Sequence, residues 1–240
     1  MRIFDVLANV IDGIGEDGFA GIAADNLCRF MNFELSAVVL HSPNGGPRLM
    51  FDSFDAVDGR QGIQTYLRHT YAINPMVRGR ASGAIRARDF APARSPAATP
   101  YLVVSPEEEL GFRTAGWPRG LEEIGLYFEA CGGLVELGLY RERSHVSADA
   151  GRLNDLNGLT VPIAAAFEKH WRISERNAAR VRFTVLSARE QEIAGLLLAG
   201  CSSEAIALRL GISRHTVRDH RKNIFRKLGI ASLAELFALA

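Results

Sequence analysis

The sequence predicts an α+β domain followed by a smaller, all-α domain of four helices. Three observations predict it. Helix-period and strand-like apolar runs are interleaved across residues 1–175, whereas residues 186–240 carry helical periodicity alone. The overall charge of +1 is also unevenly divided. Residues 182–240 hold nine Lys or Arg against five acids, leaving nineteen against twenty-two for the first 181. The basic share falls on the helical part, as an electrostatic footprint for a polyanion requires.

Ile3, Val6, Leu7 and Val10 recur at a helical interval and predict an amphipathic first helix, with a second over residues 16–31. Residues 36–41 read as a buried strand, Asn44-Gly45 as a hairpin turn and residues 48–51 as its partner strand. Residues 62–71 are helical. Residues 78–100, rich in Ala, Arg, Pro and Ser, form a loop with at most one short helix or strand. Two strands follow over residues 122–129 and 134–140, joined at Gly132-Gly133. A long amphipathic helix over residues 149–177 then leads into a linker at 176–185. Helices flanking an antiparallel sheet describe a sensor of the GAF or PAS sort.

In the C-terminal part, Ser187 and Glu190 form an S-x-x-E capping box before Ile193, Leu196 and Leu197. Ser202 caps the next helix, which carries Ile206 and Leu210, and Gly211-Ile212-Ser213 makes the short turn to the third. That third helix, residues 214–227, holds Arg214, Arg218, Arg221, Lys222, Arg226 and Lys227 against the single acid Asp219. At about 100° per residue, Val217, Ile224 and Leu228 make an apolar stripe, and His215, Arg218, Asp219, Lys222 and Arg226 gather on the opposite side. Such a helix can dock one face on partner helices and present the other to a DNA major groove. Ser232 and Glu235 repeat the capping box before Leu236 and Phe237.

Leu186-Ser187, Arg189 to Ile193, Gly200, Ile206-Ala207, Leu210 to Ser213, Thr216-Val217, His220, Asn223-Ile224 and Lys227 to Gly229 together resemble a LuxR-type helix-turn-helix domain. The resemblance implies a DNA-binding transcriptional regulator in which Arg218, Asp219 and Lys222 read bases. Ser213, Arg214, His215, Thr216, Arg226 and Lys227 would contact phosphates, and Leu233, Leu236 and Phe237 on the last helix would form a dimer contact. Ala205 and Leu233 depart from the family's acidic and basic residues. The first leaves Ser202 without a capping-box partner, a cost of about 0.5–1 kcal/mol. The partners implied are double-stranded DNA with a near-palindromic operator, a second copy of the chain, and RNA polymerase.

The front part partly resembles an autoinducer-binding sensor through Tyr66, Tyr71 and Asn74-Pro75. Asn74 stands where that family's acid is expected, and the Trp expected ahead of Tyr66 is absent, so a different small molecule is expected. For Tyr66, Tyr71, Tyr101, Phe112 and Trp117 two readings are open: an aromatic core, or the walls of a ligand pocket. Asn74, Arg113, Glu122 and Glu123 are the polar candidates to orient an effector. The rival readings are a front domain that only dimerises or meets a protein, and, more remotely, an enzyme fused to a DNA-binding module. Gly13-Ile14-Gly15-Glu16-Asp17-Gly18 matches G-x-G-x-x-G, yet no strand precedes it. Cys28, Cys131 and Cys201 show no C-x-x-C spacing, and no metal or cofactor is expected. No cleavable leader is legible and no apolar stretch has the length of a membrane span, so the expected compartment is the cytoplasm.

Overall fold

The computed structural model describes residues 1–94, 96–143 and 150–239. It divides into two compact units, Met1–Trp171 and Arg172–Ala240. In the first, α1 (Ile3–Asp12) and α2 (Phe19–Met31) precede the antiparallel pair β1 (Leu35–His41) and β2 (Pro47–Asp52). Next come α3 (Arg60–Thr65), a π turn over Tyr66–Thr70, a 3-10 turn over Tyr71–Ile73, and α4 (Pro75–Arg78). Strand β3 (Gly83–Arg86), the ribbon β4 (Leu102–Val104) and β5 (Phe112–Thr114), and the long hairpin β6 (Leu121–Ala130) and β7 (Gly133–Glu142) follow. The unit closes with α5 (Ala150–Gly158) and the start of α6 (Thr160–Phe183).

Five strands form one sheet in the order β2-β1-β7-β6-β3. Side chains alternate across it, because successive residues of a strand point to opposite faces. On one face Val38, Leu40, Ile124, Leu126, Phe128, Val135, Leu137 and Leu139 pack with Val6, Val10, Leu27, Leu156, Ile163 and Phe167 from the helices. The alternate residues Glu123, Gly125 and Tyr127 of β6, and Glu136, Gly138 and Tyr140 of β7, face the other way. There they meet the chain between Phe54 and Leu121. Glycine on these strands serves packing: a Cβ on Gly125 would lie 2.2 Å from the Tyr127 ring, and one on Gly138 would lie 2.2 Å from Tyr140 Oη. The two glycines are cross-strand partners, so together they open a trough in which both tyrosines lie down against the sheet.

Three expectations change. The predicted helix over residues 149–177 is two helices, broken at Gly158-Leu159, where Gly158 weakens the helix and the Thr160 hydroxyl donates to the Asn157 carbonyl at 2.7 Å. Its expected first residue, Asp149, lies outside the described residues. Helix α6 continues to Phe183, across most of the segment 176–185 read as a linker. The 78–100 loop contributes β3 as an edge strand, paired with β6 from Gly83↔Tyr127 to Arg86↔Ile124, together with a 3-10 turn over Ala87–Phe90. Four residues with one alternation are too short to read by period.

The second unit contains α7 (Ala188–Leu198), α8 (Ser203–Leu210), α9 (Arg214–Leu228) and α10 (Leu233–Ala238). Its core is Leu186, Ile193, Ala194, Leu197, Ile206, Ala207, Val217, Ile224 and Leu236. Ser187, Ser202, Ser213 and Ser232 each cap the helix they precede by accepting the N–H three residues on. Gly211, at φ 64°, ends α8 in the left-handed region that a side chain would disfavour.

Candidate nucleic-acid interface and ligand cavity

Helix α9 is held by its ends and its buried stripe. The Ser213 hydroxyl accepts from the Thr216 N–H at 3.0 Å and lies 2.8 Å from Thr216 Oγ1. Val217 and Ile224 are fully buried, which leaves His215, Arg218, Asp219, Lys222 and Arg226 exposed. Arg214 pairs with Glu204, His215 sits 3.5 Å from Asp219, and the Arg221 guanidinium lies over the Phe225 ring, 5.3 Å from its centroid. Among the described residues, Arg218 and Lys222 make no ion pair and remain available to an outside anion. Lys227 is engaged differently: its ammonium donates to Glu190 Oε2 at 2.6 Å. The same oxygen accepts the Ser187 N–H at 2.7 Å. The Lys227 ammonium and the Ser187 N–H hold the Glu190 carboxyl down at about 2. Lys227 therefore ties α9 to the start of α7.

The trough face of the front unit holds a cavity of about 80 Å³, lined by Tyr66, Asn74, Phe112, Trp117, Tyr140 and the acids described next, among others. At its base Glu136 accepts from four side chains. The Tyr66 hydroxyl donates to Oε2 at 2.6 Å, His41 Nε2 to the same oxygen at 2.7 Å, Asn74 Nδ2 to Oε1 at 2.9 Å, and the Tyr127 hydroxyl to Oε1 at 3.4 Å. Asn74 also gives its Nδ2 to Tyr66 Oη at 3.0 Å and accepts the Met76 N–H on Oδ1 at 3.0 Å, capping α4. His41 Nδ1 is buried without a partner. Burial raises the Tyr66, Tyr127 and Tyr140 phenols well above their usual range, with Glu136 adding to the effect on each. Trp117 stands over this floor, its ring centroid 5.8 Å from Tyr66, 5.5 Å from Tyr140 and 4.7 Å from Phe54.

A family profile for bacterial regulatory proteins of the luxR family matches residues 184–240. A protein named as an HTH-type transcriptional regulator in the exeN 3′ region of Aeromonas salmonicida is 33% identical over 151 residues, which cover 53% of this chain and 74% of that one. The chain belongs to the luxR family of bacterial regulatory proteins. It is a transcriptional regulator, not an enzyme. The transcriptional regulatory protein MctR of Rhizobium johnstonii is 47% identical over 55 residues, covering 23% of this chain and 26% of MctR. Among solved structures, Escherichia coli SdiA aligns over 100% of this chain and 97% of its own at 14% identity and a TM-score of 0.47. The VqsR LBD domain from Pseudomonas aeruginosa aligns over 71% of this chain and 96% of its own at 15% identity and a TM-score of 0.49.

In this luxR-family chain the expected pocket residues separate into two groups. Tyr66, Asn74, Phe112 and Trp117 line one cavity, with Arg113 and Glu123. Tyr71 and Tyr101 are outside its lining: Tyr71 stacks beside His41 at 6.0 Å, and Tyr101, 44% exposed, stacks on His69 at 3.7 Å. Glu122 points to the opposite face of the sheet from Glu123 and pairs with its cross-strand partner Arg141 at 2.7 Å. Leu236 is fully buried in its own unit's core, which removes it from the expected dimer contact, while Phe237 stays 49% exposed. The sequence reading missed Glu136. An acid inside the apolar run Leu134-Val135-Glu136-Leu137 is the signal that could have found it, since buried acids are rare unless partnered. Among the described residues no His, Cys, Asp and Glu cluster could hold a metal, and no helix is long and apolar enough to cross a membrane.

Proposed function

We propose that this regulator is controlled by a small molecule bound in the front cavity and binds a near-palindromic DNA operator as a homodimer in the cytoplasm, where it would meet RNA polymerase. The observation that carries the effector reading is the aromatic cavity above the hydrogen-bonded Glu136 base. Few convergent polar groups under aromatic walls are what a specific small-ligand site requires. At about 80 Å³ the cavity is well below the ~300–1,000 Å³ of a drug-sized pocket, so the effector is small or the Trp117 wall moves outward on binding. The helices covering one sheet face and the cavity on the other support a GAF/PAS-like sensor.

On the DNA side, Arg218, Asp219 and Lys222 are the proposed base readers. Ser213, Arg214, His215, Thr216 and Arg226 are the proposed phosphate contacts, with Lys227 serving first as a structural tie. Two copies would place their recognition helices about one DNA turn apart. Thermal-shift screening of the full chain against small metabolites tests the effector reading, because a ligand that binds the native state alone raises its melting temperature by mass action. A set of compounds covering neutral, cationic and anionic classes that leaves the melting temperature unchanged would count against it.

A further inference from the structure

The residues lining the cavity include four acids, Glu108, Glu109, Glu123 and Glu136, and one cation, Arg113. Their engagements differ. Arg113 is taken by Glu108 at 3.1 Å, and its Nη1 donates to the Trp117 carbonyl at 3.0 Å. Glu109 accepts the Glu123 N–H at 3.0 Å, and Glu136 is saturated by Tyr66, His41 and Asn74. Among the described residues, no hydrogen bond or ion pair engages the Glu123 carboxyl, which lines the cavity beside Tyr140, its cross-strand partner. One unpartnered acid therefore faces the space enclosed by Tyr66, Trp117, Tyr140 and Phe112.

Resting on the small-molecule reading above, we infer that the effector is a small organic cation, a protonated amine whose ammonium pairs with Glu123 and whose carbon frame lies against Tyr66, Trp117 and Tyr140. Aromatic faces attract a cation through their quadrupole, and a charged hydrogen bond to a carboxylate is stronger than a neutral one. An anionic ligand would face four acids with the single arginine already paired. A neutral ligand would meet Glu123 only through an uncharged hydrogen bond, weaker than the charge-assisted one an ammonium makes.

The cavity also has a way to tolerate its own acid. Burial, with Glu136 and then Glu109 adding repulsion, pushes the Glu123 carboxyl up to about 8, so at neutral pH it holds a proton. An incoming ammonium displaces that proton to solvent and leaves a carboxylate–ammonium pair. The other groups near Glu123 are the Tyr127 and Tyr140 phenols, raised well above their usual range, Glu136 and Glu109, which already accept hydrogen bonds, and Arg113, paired with Glu108.

The test is titration calorimetry of the full chain with benzylamine, benzyl alcohol and benzoate, which share a ring and differ in charge. Benzylamine is expected to bind at least about tenfold more tightly than benzyl alcohol, with benzoate weakest. Repeating the titration at pH 7 in buffers of different ionisation enthalpy should show a net release of protons on binding benzylamine, as expected for a carboxyl raised above neutral pH. The Glu123→Gln variant, checked by its cooperative melt, should lose both the charge preference and the proton release. Benzyl alcohol or benzoate binding as tightly as benzylamine overturns the cation assignment and leaves the small-molecule reading standing. So does benzylamine binding that Glu123→Gln leaves unchanged. Failure of all three to bind overturns both.

Discussion

Asn74 shows what a single residue does here. Its two amide ends are both used, Nδ2 toward Glu136 and Tyr66, Oδ1 toward the Met76 N–H. A carboxylate at this position has no donor for Glu136 and would place two acids together. Asn74→Asp is therefore expected to destabilise the chain by about 2 kcal/mol or more at neutral pH, as judged by urea unfolding, rather than to create a family-like acidic site. A stability equal to wild type would show that the amide is not the donor Glu136 depends on. Two further acids give opposite pH signatures. Glu123 ionises in the unfolded chain above its ordinary 4.5 but holds its proton in the folded one up to about 8. Its contribution thus erodes stability by a few kcal/mol as pH rises from 4.5 to 8, and Glu123→Gln should flatten that decline. Glu190 is held down at about 2, so its contribution is present above pH 4.5 and is lost as pH falls toward 2. Melting curves of Glu190→Gln across that acid window should lack the corresponding drop.

At the scale of elements, the β6/β7 hairpin and α9 carry the proposed sites. The Gly125↔Gly138 pair lets Tyr127 and Tyr140 lie against the sheet: a methyl group at Gly125 meets the Tyr127 ring at 2.2 Å, and one at Gly138 meets the Tyr140 hydroxyl oxygen at 2.2 Å. Gly138→Ala should cost about 1–3 kcal/mol through overpacking and disturb the cavity wall, measurable as a lower melting temperature and altered Trp117 fluorescence. An unchanged melt and spectrum would mean that Tyr140 has another place to go. For α9, exposure and pairing divide the basic residues. Arg218→Ala and Lys222→Ala should each weaken specific DNA binding by about 1–3 kcal/mol and relax base preference. Lys227→Ala should instead lower the stability of the second unit through loss of the Glu190 tie. Mobility shifts on specific and scrambled duplexes, beside thermal melts, separate these outcomes. Equal losses on both duplexes for Arg218→Ala would remove it from base reading.

For the whole molecule, what could be read from sequence followed the range of the interactions involved. The helix-turn-helix was legible because its determinants are local: the Ser caps, Gly211 and the Val217–Ile224 stripe all act within a few residues. The β6/β7 hairpin was legible for the same reason. The cavity was legible only in part, since Glu136 gathers His41, Tyr66 and Asn74 from positions 95, 70 and 62 residues away. No period or local motif encodes such a meeting. Edge strand β3 and the β4/β5 ribbon were hidden too, being short and defined by their partners. If occupancy of this cavity governs DNA binding, linkage makes the coupling measurable. The most direct measurement is the affinity of the full chain for a selected operator, by fluorescence anisotropy, with and without a compound that stabilises the chain and loses its effect in Tyr66→Phe. The compound is expected to change operator affinity, and the operator to change the compound's affinity by the same factor. A compound that binds the cavity and leaves operator affinity unchanged would contradict it.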